Sequence, residues 1–178
     1  MIQKKIFISR FDLMNDSKLI SSQLILSVDQ NYLPVSELKL IYKQNFKASK
    51  RPKINNSVDS YNLLMSVWNK DLIDYIEEFK ILLLNTANKV IGCIGISRGG
   101  FRGTIADPRV IFAAAITGCA SSIVLAHNHP SGNLKPSDQD IFLTNKLKNG
   151  GLLLDIMVVD HIIITSEGYY SFADQGMI

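Results

Sequence analysis

The chain is poor in the residues that usually announce a protein's chemistry. Its 178 residues include three histidines, two cysteines and one tryptophan. The cysteines, Cys93 and Cys119, lie far apart in apolar or small-residue surroundings without Cys-x-x-Cys spacing. That excludes a disulfide-stapled scaffold and predicts buried free thiols in a reducing compartment. No apolar run approaches the ~18 residues needed to span a bilayer, so no membrane contact is expected. The opening "MIQKKIFISRFDLMND" is basic but has no apolar h-region or small-residue cleavage site, which reads as a non-secreted, cytoplasmic chain. Internal repeats and low-complexity tracts are absent too.

Charge is distributed unevenly. Residues 1–53 carry ten Lys/Arg against four Asp/Glu, and the run "YKQNFKASKRPK" (42–53) concentrates the excess. Two readings stand: a solvated peripheral arm, or a sequence-independent contact with nucleic-acid phosphates. Tyr42 and Phe46 are its only aromatics, which is thin support for base stacking.

Beyond this basic extension (1–54), residues 55–178 read as one domain. "NNSVDSYNLLMSVWN" (55–69) begins with cap candidates, and Val58, Tyr61, Leu64, Met65 and Trp68 recur at helical spacing. "FKILLLN" (79–85) and "KVIGCIGIS" (89–97) are short apolar runs joined as a hairpin. "DPRVIFAAAITG" (107–118) predicts a helix with Asp107 at the N-cap and Pro108 in the first turn. A buried strand at 121–127 follows, then a helix over 137–151 stopped by Gly150 and Gly151, and one or two strands over 154–165. Alternating strands and helices predict an α/β fold of the α+β type, a central mixed sheet flanked by helices.

Two of the three histidines fall one residue apart in "LAHNHPSGNLKPSDQD" (125–140). If the strand continues to residue 129, His127 and His129 project to the same side. Asp140 lies eleven residues further on, and a loop holding Pro130, Gly132 and Pro136 can fold its carboxylate back to them. Two nitrogens and one oxygen leave a tetrahedral zinc one open position, where water can be activated. A plainer reading of the same residues makes Ser137-x-x-Asp140 an ordinary helix cap.

The pattern His-x-His-Pro, six residues, Ser, two residues, Asp matches the JAMM signature of JAB/MPN metalloproteases at His127, His129, Pro130, Ser137 and Asp140. With "FKILLLNTANKVIG", "GT.AD.R.IF" and "LDI.VVDHIIIT", the chain resembles the bacterial RadC-like branch, most closely a short form without the helix-hairpin-helix region. The resemblance is strong over 55–176, loose over 30–54 and absent over 1–29. It implies a JAB/MPN (cytidine-deaminase-like) architecture and a Zn2+ ion held by His127, His129 and Asp140. Ser137 would serve a developing oxyanion or the attacking water. The family also uses an upstream glutamate as acid–base, in a Glu-x-Phe pattern before the apolar strand. Aligning on Phe79 selects Glu77 over its neighbour Glu78, and strand parity puts Glu77 on the side of Phe79, Ile81 and Leu83. Asp160 and His161 fall outside the signature, so a structural or ligand-orienting role is expected rather than a fourth ligand that would close the site. Arg98, Gly99 and Gly100 read either as a substrate edge or as a simple turn.

Three functions follow for comparison. The first is a zinc-dependent hydrolase of peptide, isopeptide or related amide bonds in an unnamed protein or peptide substrate. The alternative is a DNA-repair-associated or mobile-element accessory protein with a structural zinc site, its nucleic-acid contact made through residues 42–53. Zinc-dependent deamination expects a Pro-Cys-x-x-Cys ligand set, which the chain lacks.

Overall fold

The apolar run "FKILLLN" sits near the centre of the sheet. The computed structural model describes residues 23–25, 39–41, 47–99 and 104–178. Gly100 and residues 42–46 of the basic run lie outside these. Two units divide after Lys43. In the first, β1 (Gln23–Ile25) pairs antiparallel with β2 (Lys39–Ile41).

The second unit contains α1 (Ser57–Val67), β3 (Glu78–Leu84), β4 (Val90–Arg98), α2 (Pro108–Thr117), β5 (Ser122–Asn128), α3 (Asp138–Leu153), β6 (Met157–Ile164) and β7 (Tyr169–Ser171). Its five-stranded sheet runs β4-β3-β5-β6-β7. The β5–β6 pair is parallel and the others antiparallel, so the sheet is mixed, as expected. The parallel pair requires a crossover, which α3 supplies.

Alternation along the strands separates two cores. Phe79, Ile81, Leu83, Ile123 and Leu125 face Ile111 and Ala115 of α2 and Leu147 of α3. Leu82, Leu84, Val124, Ala126, Ile162 and Ile164 face Leu64 of α1 together with Trp68. Helices on both faces leave β5 buried at every residue. No helix among the described residues is long and apolar enough to cross a membrane.

The helix starts follow local chemistry. Asn56 accepts from Asp59 N at the head of α1, and Asp107 accepts from Arg109 N before Pro108 in α2. The helix ends require corrections. Gly150 and Gly151 do not stop α3, which continues to Leu153. A Cβ on Gly151 would collide with the Ile156 carbonyl oxygen, and one on Gly150 would stand 3.0 Å from the Phe112 ring. These glycines admit a neighbour's close approach rather than break the helix. A single strand, β6, forms from 154–165, and the short β7 was not anticipated. Neither cysteine is buried. Cys93 lies on edge strand β4, and Cys119 sits in a turn with φ +52° that follows α2. Part of the basic run is not a free arm, because Pro52 O accepts from Val90 N and Ile54 N donates to Asn88 O.

Asp160 fastens the C-terminal turn to β6. Its buried carboxylate accepts from His161 N (2.7 Å), Ser171 Oγ (2.7 Å) and Ala173 N (3.0 Å). Burial nevertheless pushes its pKa up. Asp160→Ala strands these donors and is expected to lower the unfolding free energy by about 3 kcal/mol. Asp160→Asn should cost far less, since an amide oxygen still accepts both N–H groups and Ser171 Oγ can accept from its NH2. Chemical denaturation of the two variants makes the check; equal losses would refute this account.

Candidate functional site

Strand β5 delivers His127 at its end, and β3 begins beside it, with Phe79 paired to His127. Phe79 lies parallel to the His127 ring (centroids 6.0 Å, 6° apart) and fixes its plane. The strand stops at Asn128, yet His129 still turns to the same side, and the two Nε2 atoms lie 2.9 Å apart. The loop 130–136 then returns the chain, and Ser137 caps the start of α3 reciprocally with Asp140. Asp140 Oδ2 accepts from Ser137 N (2.7 Å) and Ser137 Oγ (2.6 Å). Asp140 Oδ1 lies 3.1 Å from His127 Nε2, and Oδ2 lies 3.6 Å from His129 Nε2. The cap and the three-residue cluster are therefore one arrangement, with Asp140 serving both.

These residues fit a metal ion. His129 Nδ1 lies 2.6 Å from Asn133 O, a carbonyl that can only accept, so the proton belongs on Nδ1 and Nε2 presents a lone pair. Converging lone pairs on nitrogen and carboxylate oxygen repel unless protons or a cation stand between them. Donors about 2.0–2.1 Å from a tetrahedral ion are about 3.3 Å from each other. The imidazole nitrogens are 2.9 Å apart, and each has a different Asp140 oxygen at 3.1 or 3.6 Å, separations on either side of that value. The group could hold a metal ion, with all three donor atoms within 4.8 Å of one another.

The electrostatics agree. Partial burial alone would raise the Asp140 pKa, but N–H groups of His127 and His129, when those imidazoles are protonated, together with Ser137, overcome it and hold the carboxylate far below its usual range. The Asp140 hydrogen bond in turn raises the pKa of His129, with Asn133 O and the nearby Glu77 adding to it.

Glu77 and Glu78 separate as parity requires. Glu77 lines the cleft of about 1020 Å³ that also takes in His129, Ser137 and Asp140, and its Oε1 accepts from Thr104 N (3.1 Å). Continuing the β3–β5 register two residues sets it opposite His129. Glu78 is paired instead with Lys80 (3.0 Å) and Arg98 (3.6 Å) and does not line the cleft. Gly99 N donates to Glu77 O, so this part of 98–100 braces Glu77.

Sequence reasoning passed over Asn128 and Thr144. Asn128, between the histidines, points to the other face. Its Oδ1 accepts from Glu78 N (2.7 Å), and its Nδ2 donates to Ile73 O (2.6 Å) and Ile76 O (2.9 Å). Thr144 Oγ1 lies 2.6 Å from both Asp140 O and His161 Nδ1. The usable signal was Thr144's place four residues after Asp140 on one helix. His161 is no fourth member of the cluster. Its Nε2 lies 2.8 Å from His127 Nδ1, behind that ring, and burial drives its pKa well down. Asp160 turns its carboxylate away from the cluster, toward Ser171 and Ala173.

Comparison with known proteins decides the family. A family model described as RadC-like JAB domain matches residues 54–177. The chain belongs to the RadC-like JAB domain family. Domains of the JAB family are often hydrolytic, and this RadC-like JAB domain carries the His-His-Asp cluster. Among curated relatives it is similar to a "UPF0758 protein" of Flavobacterium johnsoniae, 41% identical over 128 residues (72% of this chain, 55% of the relative). Another, from Porphyromonas gingivalis, is 48% identical over 103 residues (57% and 45%). One from Staphylococcus haemolyticus is 40% identical over 136 residues (76% and 58%). The RadC-like JAB chain thus spans about half the length of the curated relatives it matches.

Proposed function

We propose that this RadC-like JAB domain is a zinc-dependent hydrolase that cleaves a peptide, isopeptide or related amide bond. The observation that carries the reading is the convergence of His127 Nε2, His129 Nε2 and the Asp140 carboxylate, the last two at the wall of a cleft that also holds Glu77. His127, His129 and Asp140 would hold the zinc, which when bound would supply a water of pKa about 7 and a Lewis acid for the carbonyl. The protein's own residues do the rest. Glu77, held by Thr104 N, takes a proton from the attacking water and returns it to the leaving amine. Ser137, now donating to Asp140, exchanges that partner for the developing oxyanion. Exposed Ile105 and Phe142 border the cleft and offer apolar contact to a polypeptide on either side of the scissile bond.

The test is elemental analysis of the purified chain together with a panel of peptide and isopeptide substrates. A chain that holds no zinc, or that holds it and cleaves nothing, counts against the reading. The accessory reading has one observation in its favour, the exposed Lys47, Lys50 and Lys53. If they contact phosphates, affinity for mixed-sequence DNA should fall steeply with salt. Each Lys→Gln change should flatten the salt slope by about 1. Absence of a complex at low salt would remove this support.

A further inference from the structure

The hydrogen-bond chain behind His127 ends on a group whose proton has one destination. Thr144 Oγ1 is 2.6 Å from Asp140 O and 2.6 Å from His161 Nδ1. A backbone carbonyl only accepts, so the single hydroxyl proton goes to Asp140 O. What the oxygen then offers His161 is a lone pair, and His161 Nδ1 must be the donor. A neutral imidazole protonated at Nδ1 has its lone pair at Nε2. That lone pair lies 2.8 Å from His127 Nδ1, which must in turn carry a proton. His127 is left with a free Nε2 lone pair, the atom that faces His129 and Asp140.

The surroundings leave little alternative. Thr144 is 1% exposed and His161 fully buried, so water cannot replace a missing partner. The His161 ring is packed against Phe172 (centroids 4.8 Å, 17°) and Phe79 (5.6 Å), which holds its orientation. Asp160 uses its carboxylate on Ser171, Ala173 and the backbone N–H of His161, not on the imidazole. The same Thr144 hydroxyl also braces the Asp140 carbonyl in the first turns of α3. One side chain thus acts on two members of the cluster that come from different elements.

We propose that Thr144 is a positioning residue: its hydroxyl sets the tautomer of His161 and, through it, of His127, so that a ligating nitrogen rather than an N–H faces the cluster. The role in metal affinity rests on the zinc reading above; the tautomer relay does not. Long-range 15N–1H correlation of the imidazoles in metal-free protein, at about pH 8, where ordinary imidazoles are neutral, reads the relay directly. Protons on Nδ1 of both His161 and His127 are expected in the wild type and in Thr144→Ser. In Thr144→Val, which keeps the shape and loses the hydroxyl, the His161 proton should move to Nε2. His129, held separately by Asn133 O, should keep its Nδ1 proton and so report an intact site.

Zinc affinity, measured by competition with a chromophoric chelator, should fall 10–100-fold in Thr144→Val and recover in Thr144→Ser. A wild-type His161 protonated on Nε2 overturns the proposal without any variant, which covers the case of a valine protein that fails to fold. So does Thr144→Val with an unmoved proton, or a moved proton with unaltered zinc affinity. If no version binds zinc, the hydrolase reading and the metal-positioning role fall together, while the imidazole spectra still decide whether Thr144 governs the two tautomers.

Discussion

Glu77→Gln is expected to slow hydrolysis by about 10²–10⁴-fold while leaving zinc content and fold unchanged, the loss attributed to a positioned acid–base group. Glutamine keeps the shape and the acceptor oxygen for Thr104 N, so the loop beside it should stay in place. Only the ability to take and return a proton is removed. Glu78→Gln is the matched control, because Glu78 is engaged with Lys80 and Arg98 and does not line the cleft. Its effect on hydrolysis should be nearly silent, since its carboxylate is engaged away from the cleft. Ser137→Ala should fall between them at roughly 10²–10³-fold if the hydroxyl serves an oxyanion. Part of its effect will arise through Asp140, whose Oδ2 loses a 2.6 Å hydrogen bond. The comparison requires the cleavable substrate from the peptide and isopeptide panel. Activity lost in Glu78→Gln and kept in Glu77→Gln would show that the strand register, and the assignment with it, is off by one.

The second large effect concerns the metal itself. Wild-type protein should carry about one zinc per chain, and a His127→Ala/His129→Ala double variant none. Because an ion that binds only the folded state stabilises it by mass action, zinc at about 1,000 times its Kd should add about 4 kcal/mol. For a domain of this size that is a rise in Tm of roughly 10–15 °C. Chelator should reverse the rise and abolish hydrolysis together. The double variant should show no zinc-dependent shift. Zinc retained by the double variant, or a wild-type melting curve indifferent to zinc, would mean that the converged donors serve some other purpose.

The parts of this site that depend on local spacing were legible in the sequence. His127 and His129 share a side because strand side chains alternate, and Ser137 and Asp140 meet because a capping box brings the cap and third helical positions together. Glu77 followed from the resemblance and from parity. The remainder depends on contacts made far along the chain. His161 reaches His127 across 34 positions, and nothing around "VVDHIIIT" says which strand β6 will lie against. The glycines of α3 misled for a related reason: a glycine pair after a periodic segment looks like a stop, but here Ile156 and Phe112 crowd the helix from outside. The cysteines misled because apolar neighbours in sequence do not ensure cover in space, and β4 is an edge. Both misreadings come from tertiary neighbours overriding a local pattern.

Asn128 gives the site a mechanical character. It passes for a spacer between two histidines, yet its amide grips Ile73 O, Ile76 O and Glu78 N with three hydrogen bonds of 2.6–2.9 Å. The peptide that leads into Glu77 is thereby pinned to the residue that separates His127 from His129. The Glu77 carboxylate and the His127 imidazole are thus carried on one hydrogen-bonded piece of the sheet, whereas His129 is also tied to the exposed loop through Asn133 O. Separating Glu77 from His127 means pulling β3 away from β5 at the centre of the sheet. The working distance of the site is as durable as the sheet itself.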